Sequence, residues 1–317
     1  MEKLPQRIAS RGCGSAHQRN GSEKSVIVST FKPDIRQLRQ TSGQSRSPCY
    51  SGLHMSNQDN VASSFRNVDA AVHIEEMIRY LDVLQSTDEI QRYKNRILEL
   101  APGTNDSSAL DIGCGLGDDV VRLKQKFRRA VGIDSSSRFI AEAMRRHQDT
   151  GCEFHHCDAT ILPFKDEEFD FVRIDRSLQH MESPEKAVRE MVRVVKKGGV
   201  ILCAEPDWGT LFFGTPLSTL TRALQDRSAE KIRNPWIGRN LSAIMRSAGV
   251  ADLSMEAHTV LTKGFESSNF AFEIVKTVAQ VSAAGTNESA LAAWLEQYKK
   301  ADALAGLTLV ICRGQKV

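Results

Sequence analysis

Three glycines alternate in Leu110-Asp111-Ile112-Gly113-Cys114-Gly115-Leu116-Gly117, at Gly113, Gly115 and Gly117. A turn of this kind takes backbone angles closed to other residues and has no side chains to keep a ligand from lying against it. Alone it also fits an ordinary strand-to-helix loop, so the neighbours decide. Asp134 follows Gly113 by twenty-one positions, where a carboxylate at a strand's end accepts hydrogen bonds from both hydroxyls of a ribose. It could instead cap the next helix, as could the residues at 135–137. Asp158 stands at a further strand end, where a carboxylate can accept from an exocyclic adenine amine. For proton chemistry His180 leads, because an imidazole titrates near neutrality and this one follows a strand at the expected pocket mouth. A purely structural His180 fits the same pattern. Glu205, at the end of another strand, is the next base, and Arg176 suits an acidic group on a substrate. Cys152, His155, His156 and Cys157 are the one cluster with metal-ligand chemistry, but alternate residues of a strand point to opposite faces, so no metal site is expected.

The elements that must position these residues are read from periodicity. Ile74, Met77, Ile78, Leu81 and Leu84 mark one apolar helix face, and a second helix capped by Thr87 carries Ile90, Tyr93, Ile97, Leu98 and Leu100. Phe65, Arg66, Asp69, Tyr80 and Asp82 are candidates to line a lid there. From residue 108 strand and helix periods alternate, which predicts a parallel sheet covered on both faces. Strands are expected at 109–112, 130–133, 153–157, 169–174 and 200–204, with Lys196-Lys197-Gly198-Gly199 closing the helix before the fifth. Ser183 and Pro184 open that helix as cap and first-turn proline. A partly helical excursion at about 209–235, a helix at 237–248, a strand at 253–261, helical residues at about 265–303 and a last strand at 307–312 complete the chain.

Charge bears on which adenosyl cofactor the turn receives. A dinucleotide presents an anionic pyrophosphate, which Asp111, Asp118 and Asp119 around the turn would repel. S-adenosylmethionine carries a sulfonium and an ammonium and no phosphate, so acidic neighbours suit it. The glycine spacing, Gly-x-Gly-x-Gly, also departs from the dinucleotide pattern.

These residues resemble the class I S-adenosylmethionine-dependent methyltransferases of small molecules, in particular those of ubiquinone and menaquinone biosynthesis. The resemblance rests on five ordered blocks: the glycine turn, Val131-Gly132-Ile133-Asp134, Cys157-Asp158-Ala159 with Leu162-Pro163-Phe164, Phe169-Asp170-Phe171-Val172, and Val195-Lys196-Lys197-Gly198-Gly199-Val200. It implies an α/β fold: a doubly wound, Rossmann-like sheet of seven mostly parallel strands, the last antiparallel between the fifth and sixth, with an N-terminal helical lid and helical insertions. Carried across residue by residue, it implies that the turn with Asp111, Gly113, Cys114, Gly115 and Gly117 holds the methionine portion, Asp134 with Ser135 the ribose, and Asp158 with Ala159 the adenine. Asp175 and Arg176 then face the methionyl end. The activity implied is methyl transfer to a small-molecule acceptor. An NAD-dependent oxidoreductase and a non-catalytic regulatory protein that binds the cofactor are the competing readings.

Composition sets the outer bounds. The 317 residues, 41% hydrophobic and 26% charged, suffice for a large α/β domain with appendages, and no run is apolar enough for a membrane span. Residues 1–54 hold nine Lys or Arg against three acidic residues, within a net charge of +3, so the body is mildly acidic and no nucleic-acid partner is expected. That segment reads as a disordered tail or an organellar targeting segment, 55–107 as the helical lid and 108–317 as the catalytic domain. Seven scattered cysteines suit reduced thiols in the cytoplasm. No periodicity bears on oligomeric state.

Overall fold

The alternation of strand and helix periods becomes a single seven-stranded sheet in a computed structural model that describes residues 64–70, 74–215, 218–300 and 302–317. Two helices come first, α1 (Ile74–Gln85) and α2 (Asp88–Leu100), after a 3-10 turn at Val68–Ala70. Then follow β1 (Ser108–Ile112), α3 (Asp118–Lys124), β2 (Arg129–Asp134), α4 (Ser137–Arg146), β3 (Glu153–His156), β4 (Phe169–Asp175), a 3-10 turn at Leu178–His180, α5 (Pro184–Val194) and β5 (Val195–Phe213). The last third contains α6 (Thr219–Glu230), α7 (Ile237–Ser247), β6 (Val250–Thr262), α8 (Phe265–Phe272), α9 (Ile274–Ala283), α10 (Glu288–Lys300) and β7 (Ala305–Lys316). The strand order is β3-β2-β1-β4-β5-β7-β6, parallel up to β5, with β7 antiparallel to both its neighbours.

Successive strand residues point to opposite faces, and both faces are covered, so the central strands are mostly apolar, with charged exceptions such as Asp111 in β1 and Asp170 and Arg173 in β4. Leu110, Ile112, Ile174 and Ile201 pack with Ala187, Val188 and Met191 of α5. Ala109, Phe171, Leu202 and Leu309 pack on the other face with Tyr93 and Ile97 of α2 and Val120 and Leu123 of α3. Helix α2 therefore forms a layer of the core, while α1 adds Ile74 and Met77 to a small cluster with Val68, Leu116 and Phe139. The late helices make a third cluster, in which Trp294, Tyr298 and Phe272 meet Leu211 and Phe213 at the end of β5.

Several boundaries differ from the periodicity. Strand β5 runs past Pro206 to Phe213, because β7 stays paired with it across a break in register between Asp207 and Phe212. There the Thr210 hydroxyl takes a place in the ladder, accepting from the Thr308 amide at 2.8 Å. Helix α5 already ends at Val194, and Lys196 to Gly199 belong to β5, with Lys196 donating to Asp170 at 2.9 Å. Neither Thr87 nor Ser183 caps through its side chain; the Thr87 hydroxyl donates back to the Leu84 carbonyl at 2.8 Å. Among the described residues no helix is long and apolar enough to cross a membrane. The tail at 1–54 lies outside the described residues.

Candidate active site

At the end of β1 the chain turns through Gly113 (φ 69°), Gly115 (φ 54°) and Gly117 (φ 86°) into α3. All three angles lie in the left-handed region that glycine enters without strain. The glycines differ in what surrounds them. A Cβ on Gly113 would lie 2.1 Å from the Ser177 hydroxyl, and one on Gly117 would lie 2.7 Å from the Phe154 ring. A Cβ on Gly115 would meet nothing nearer than Leu81 Cδ1 at 3.9 Å, because this residue faces a cavity of about 650 Å3. Cys114 turns its thiol against Gly132, so it offers the cavity backbone rather than sulfur chemistry.

Asp134, at the end of β2, holds the turn in shape. One carboxylate oxygen accepts from the Gly115 amide and the other from the Ser136 amide, both at 2.9 Å. Each oxygen keeps a second lone pair for a ligand hydroxyl. The helix cap is Ser136, whose hydroxyl accepts from the Phe139 amide, which leaves Asp134 free of that duty. Asp158 lines the same cavity beside Ala159, with one oxygen accepting from the Thr160 amide at 2.8 Å. Ser135 is exposed at its rim. These residues bring the bare backbone of the turn and the carboxylates of Asp134 and Asp158 to one cavity, an arrangement able to receive ligand hydroxyl and amine groups.

The carboxylates nearest the turn require a correction to the charge argument. Asp111 is 2 % exposed and paired with Arg173 Nε at 2.9 Å. Asp119 pairs with Lys94 and, at 3.0 Å, with Arg173. Asp175 lies 3.2 Å from Arg173 and 3.4 Å from Lys94. Although burial acts against it, Asp119 is held well below the ordinary carboxylate range by Lys94 and Arg173. Burial pushes Asp111 up, against the pull of Arg173. Most of the negative charge at the turn is thus cancelled internally. Asp118, whose side chain is 41% exposed, lines the cavity and lies 3.6 Å from His147; burial pushes its carboxyl up, against the pull of His147.

The same cavity is also lined by His180, Arg176, Arg66, Lys231, Arg233 and Phe272. His180 packs against Phe65, with ring centroids 5.5 Å apart, and its Nδ1 is buried without a hydrogen-bond partner. Burial, with Arg66, Arg176 and Arg233, draws its pKa down to about 3, so it is a neutral imidazole and a far weaker base than an ordinary histidine. Arg176 holds a left-handed backbone (φ 55°), anchored by its amide on the Ala204 carbonyl at 2.8 Å. Its buried Nε has no hydrogen-bond partner, and the Asp175 carboxylate is 3.7 Å away. Lys231, drawn down to about 8 by burial, donates to the Thr277 hydroxyl at 2.5 Å.

Glu205 does not reach the cavity. It is fully buried and accepts the amides of Ser177 (2.8 Å), Leu178 (2.6 Å) and Gln179 (3.4 Å), clamping the 3-10 turn that presents His180. Burial pushes its carboxyl up to about 8 against the pull of these amides. A carboxylate so engaged is a structural clamp, not a base for substrate. Of the lid candidates, Phe65, Arg66 and Tyr80 line the cavity, whereas Asp69 and Asp82 anchor the segment. Asp69 accepts from Ser136 Oγ (2.5 Å) and Ser137 N (3.0 Å), and Asp82 takes Arg146 bidentately at 2.6 and 3.0 Å. Lys94, Arg173, Lys231 and Arg233 had no part in the sequence reading. The signal for two of them was present: Lys94 sits on the apolar stripe of α2 and Arg173 inside an apolar strand.

Residues 110–203 match the family model described as a methyltransferase domain. An uncharacterized 37.1 kDa protein from a transposon of Streptomyces fradiae is 32% identical over 247 residues, 75% of this chain and 71% of that one. A demethylmenaquinone methyltransferase of Bacillus cereus is 33% identical over 145 residues, so the chain spans 59% of that relative's length, through 41% of its own. Among solved structures, phosphoethanolamine N-methyltransferase 2 of Haemonchus contortus, in complex with S-adenosyl-L-methionine, superposes with a TM-score of 0.53 at 19% identity. That alignment covers 80% of this chain and 60% of the other and is a likeness of fold.

Proposed function

The chain belongs to the class I S-adenosylmethionine-dependent methyltransferases, and we propose that its cavity joins cofactor and small-molecule acceptor, the acceptor lying between the lid and the late helices. The observation that carries this reading is the open face of Gly115 beside Asp134, which leaves room for a ligand against bare backbone. A cavity of about 650 Å3 is of the size that encloses small molecules, which run to roughly 300–1,000 Å3 of pocket.

In this reading the turn backbone and Asp134 hold the ribose and methionine portions, Asp158 and Ala159 the adenine, and the backbone at Asp175 and Arg176 faces the methionyl end. The cofactor supplies an activated methyl group; the protein aligns the acceptor with it and excludes water. Lid residues Phe65 and Tyr80 and late residue Phe272 close the cavity with apolar surface. His180 contributes a neutral imidazole, able to donate or accept one hydrogen bond to an acceptor but poorly suited to hold a proton. A reducing, cytoplasm-like compartment is supported by free Cys114, Cys152, Cys157, Cys203 and Cys312.

Transfer of tritium from methyl-labelled cofactor into a metabolite pool tests the reading, with the labelled product identified by mass spectrometry. The wild type should label a product and Asp134→Ala should not. A wild type that binds the cofactor yet labels nothing would favour a regulatory, non-catalytic role.

A further inference from the structure

The wall around His180 is more basic than a neutral acceptor needs. The charged groups that act on His180 are Arg66, Arg176 and Arg233, and all are cations. Their existing partners are weak or solvent-facing. Arg66 donates to a backbone carbonyl, that of Lys231, at 2.9 Å. Arg176 leaves Nε without a hydrogen bond, since the nearby Asp175 is already shared by Lys94, Arg173 and the Tyr93 hydroxyl. Arg233 pairs at 2.7 Å with Glu182, whose side chain is 82% exposed. Glu273, also at this end, lies 3.7 Å from Lys276 and in the field of Lys231. A buried guanidinium N–H without a partner, as at Arg176 Nε, carries a desolvation cost that an oxyanion relieves, and guanidinium forks match carboxylate, phosphate and phenolate oxygens.

The same wall is rich in aromatic side chains. Phe65 packs against His180 in a tilted arrangement and lies 6.2 Å from Tyr80, with Phe272 and Trp208 also lining the cavity. Resting on the methyltransferase reading above, we propose that the acceptor is an apolar molecule bound as an oxyanion, its charged oxygen held by Arg176 and Arg66 beside His180. An acceptor that arrives ionised leaves no proton for a side chain to take up. That accords with a histidine whose cationic neighbours disfavour its protonation and with Glu205 being turned to backbone amides.

The test uses the full chain saturated with S-adenosylhomocysteine and titrated calorimetrically with benzoate, phenyl phosphate and 4-nitrophenol, against neutral benzamide. At least one of the three should bind ten-fold or more tightly than benzamide, and the strongest identifies the oxyanion as carboxylate, phosphate or phenolate. For 4-nitrophenol the phenolate absorbance should rise on binding at a pH below its solution pKa. Arg176→Gln should bring the preferred anion down to the level of benzamide. Arg66→Gln, in an exposed turn, should weaken it three-fold or more, and provides the test if Arg176→Gln fails to fold. Arg189→Gln on the exposed face of α5 should change nothing. No preference over benzamide, no measurable binding of any anion, or a preference that survives both cavity variants overturns the proposal. Binding of S-adenosylhomocysteine is read separately: its absence overturns the cofactor reading, whereas its presence without anion preference overturns this inference alone.

Discussion

At the glycine turn the cavity is lined by backbone and by carboxylates that three successive strand ends deliver between residues 111 and 158. The wall around His180 is assembled from side chains as far apart in the chain as Phe65 and Glu273. The first end is set by the sheet itself: parallel strands end together, and Asp134 pins the turn through the Gly115 amide. The second depends on a lid tied down by Asp69 and Asp82 and on helices added after β5. Under the proposed function, the first takes the cofactor and the second the acceptor.

The strongest test of this contrast is Lys94→Met, because Lys94 joins α2 to the carboxylates beneath both ends. Removing one partner of a buried ion pair costs about 3–5 kcal/mol. For a domain of this size that is a fall in melting temperature on the order of 10 °C by calorimetry. A change near zero would mean that the network is not what fixes α2 to the sheet.

Gly115→Arg separates the ends more selectively. It places a side chain in the open space over the turn, at a left-handed backbone position that costs roughly 1 kcal/mol. Affinity for S-adenosylhomocysteine should fall by about 100-fold or more, equivalent to ~2.8 kcal/mol, with the circular dichroism spectrum unchanged. Retained affinity would move the ligand away from the turn.

His180→Asn addresses the basic wall. His180 titrates at about 3 in the folded chain against an ordinary 6.5. Between those values the unfolded chain binds the extra proton, so the stability associated with neutral His180 is present above pH 6.5 and is lost as pH falls toward 3. The slope is at most about 1.4 kcal/mol per pH unit. The stability gap between wild type and variant, from urea unfolding, should therefore shrink on acidification below pH 6.5. A gap that is independent of pH would show that neither burial nor the cations act on this ring.

The same contrast explains what the sequence made legible. The glycine turn, the strand-end aspartates and the parallel order follow from local pattern, since each is fixed within one strand-turn-helix unit. The fate of Asp111 and Asp119 was not legible, because their cancelling charges, Lys94 and Arg173, come from other elements. Glu205 read as a base from its place at a strand end, but the amides that occupy it belong to the turn after a neighbouring strand. The extent of β5 was hidden by Pro206, which interrupts a ladder in sequence terms although its partner β7, a hundred residues later, carries the pairing onward.

The central claim is that the turn between β1 and α3 receives an adenosyl sulfonium cofactor rather than a dinucleotide. Calorimetric titration of the wild-type chain with S-adenosylhomocysteine and, separately, with NADH tests it most directly. The account predicts saturable binding of S-adenosylhomocysteine and none of NADH. Binding of NADH with no heat from S-adenosylhomocysteine would contradict it.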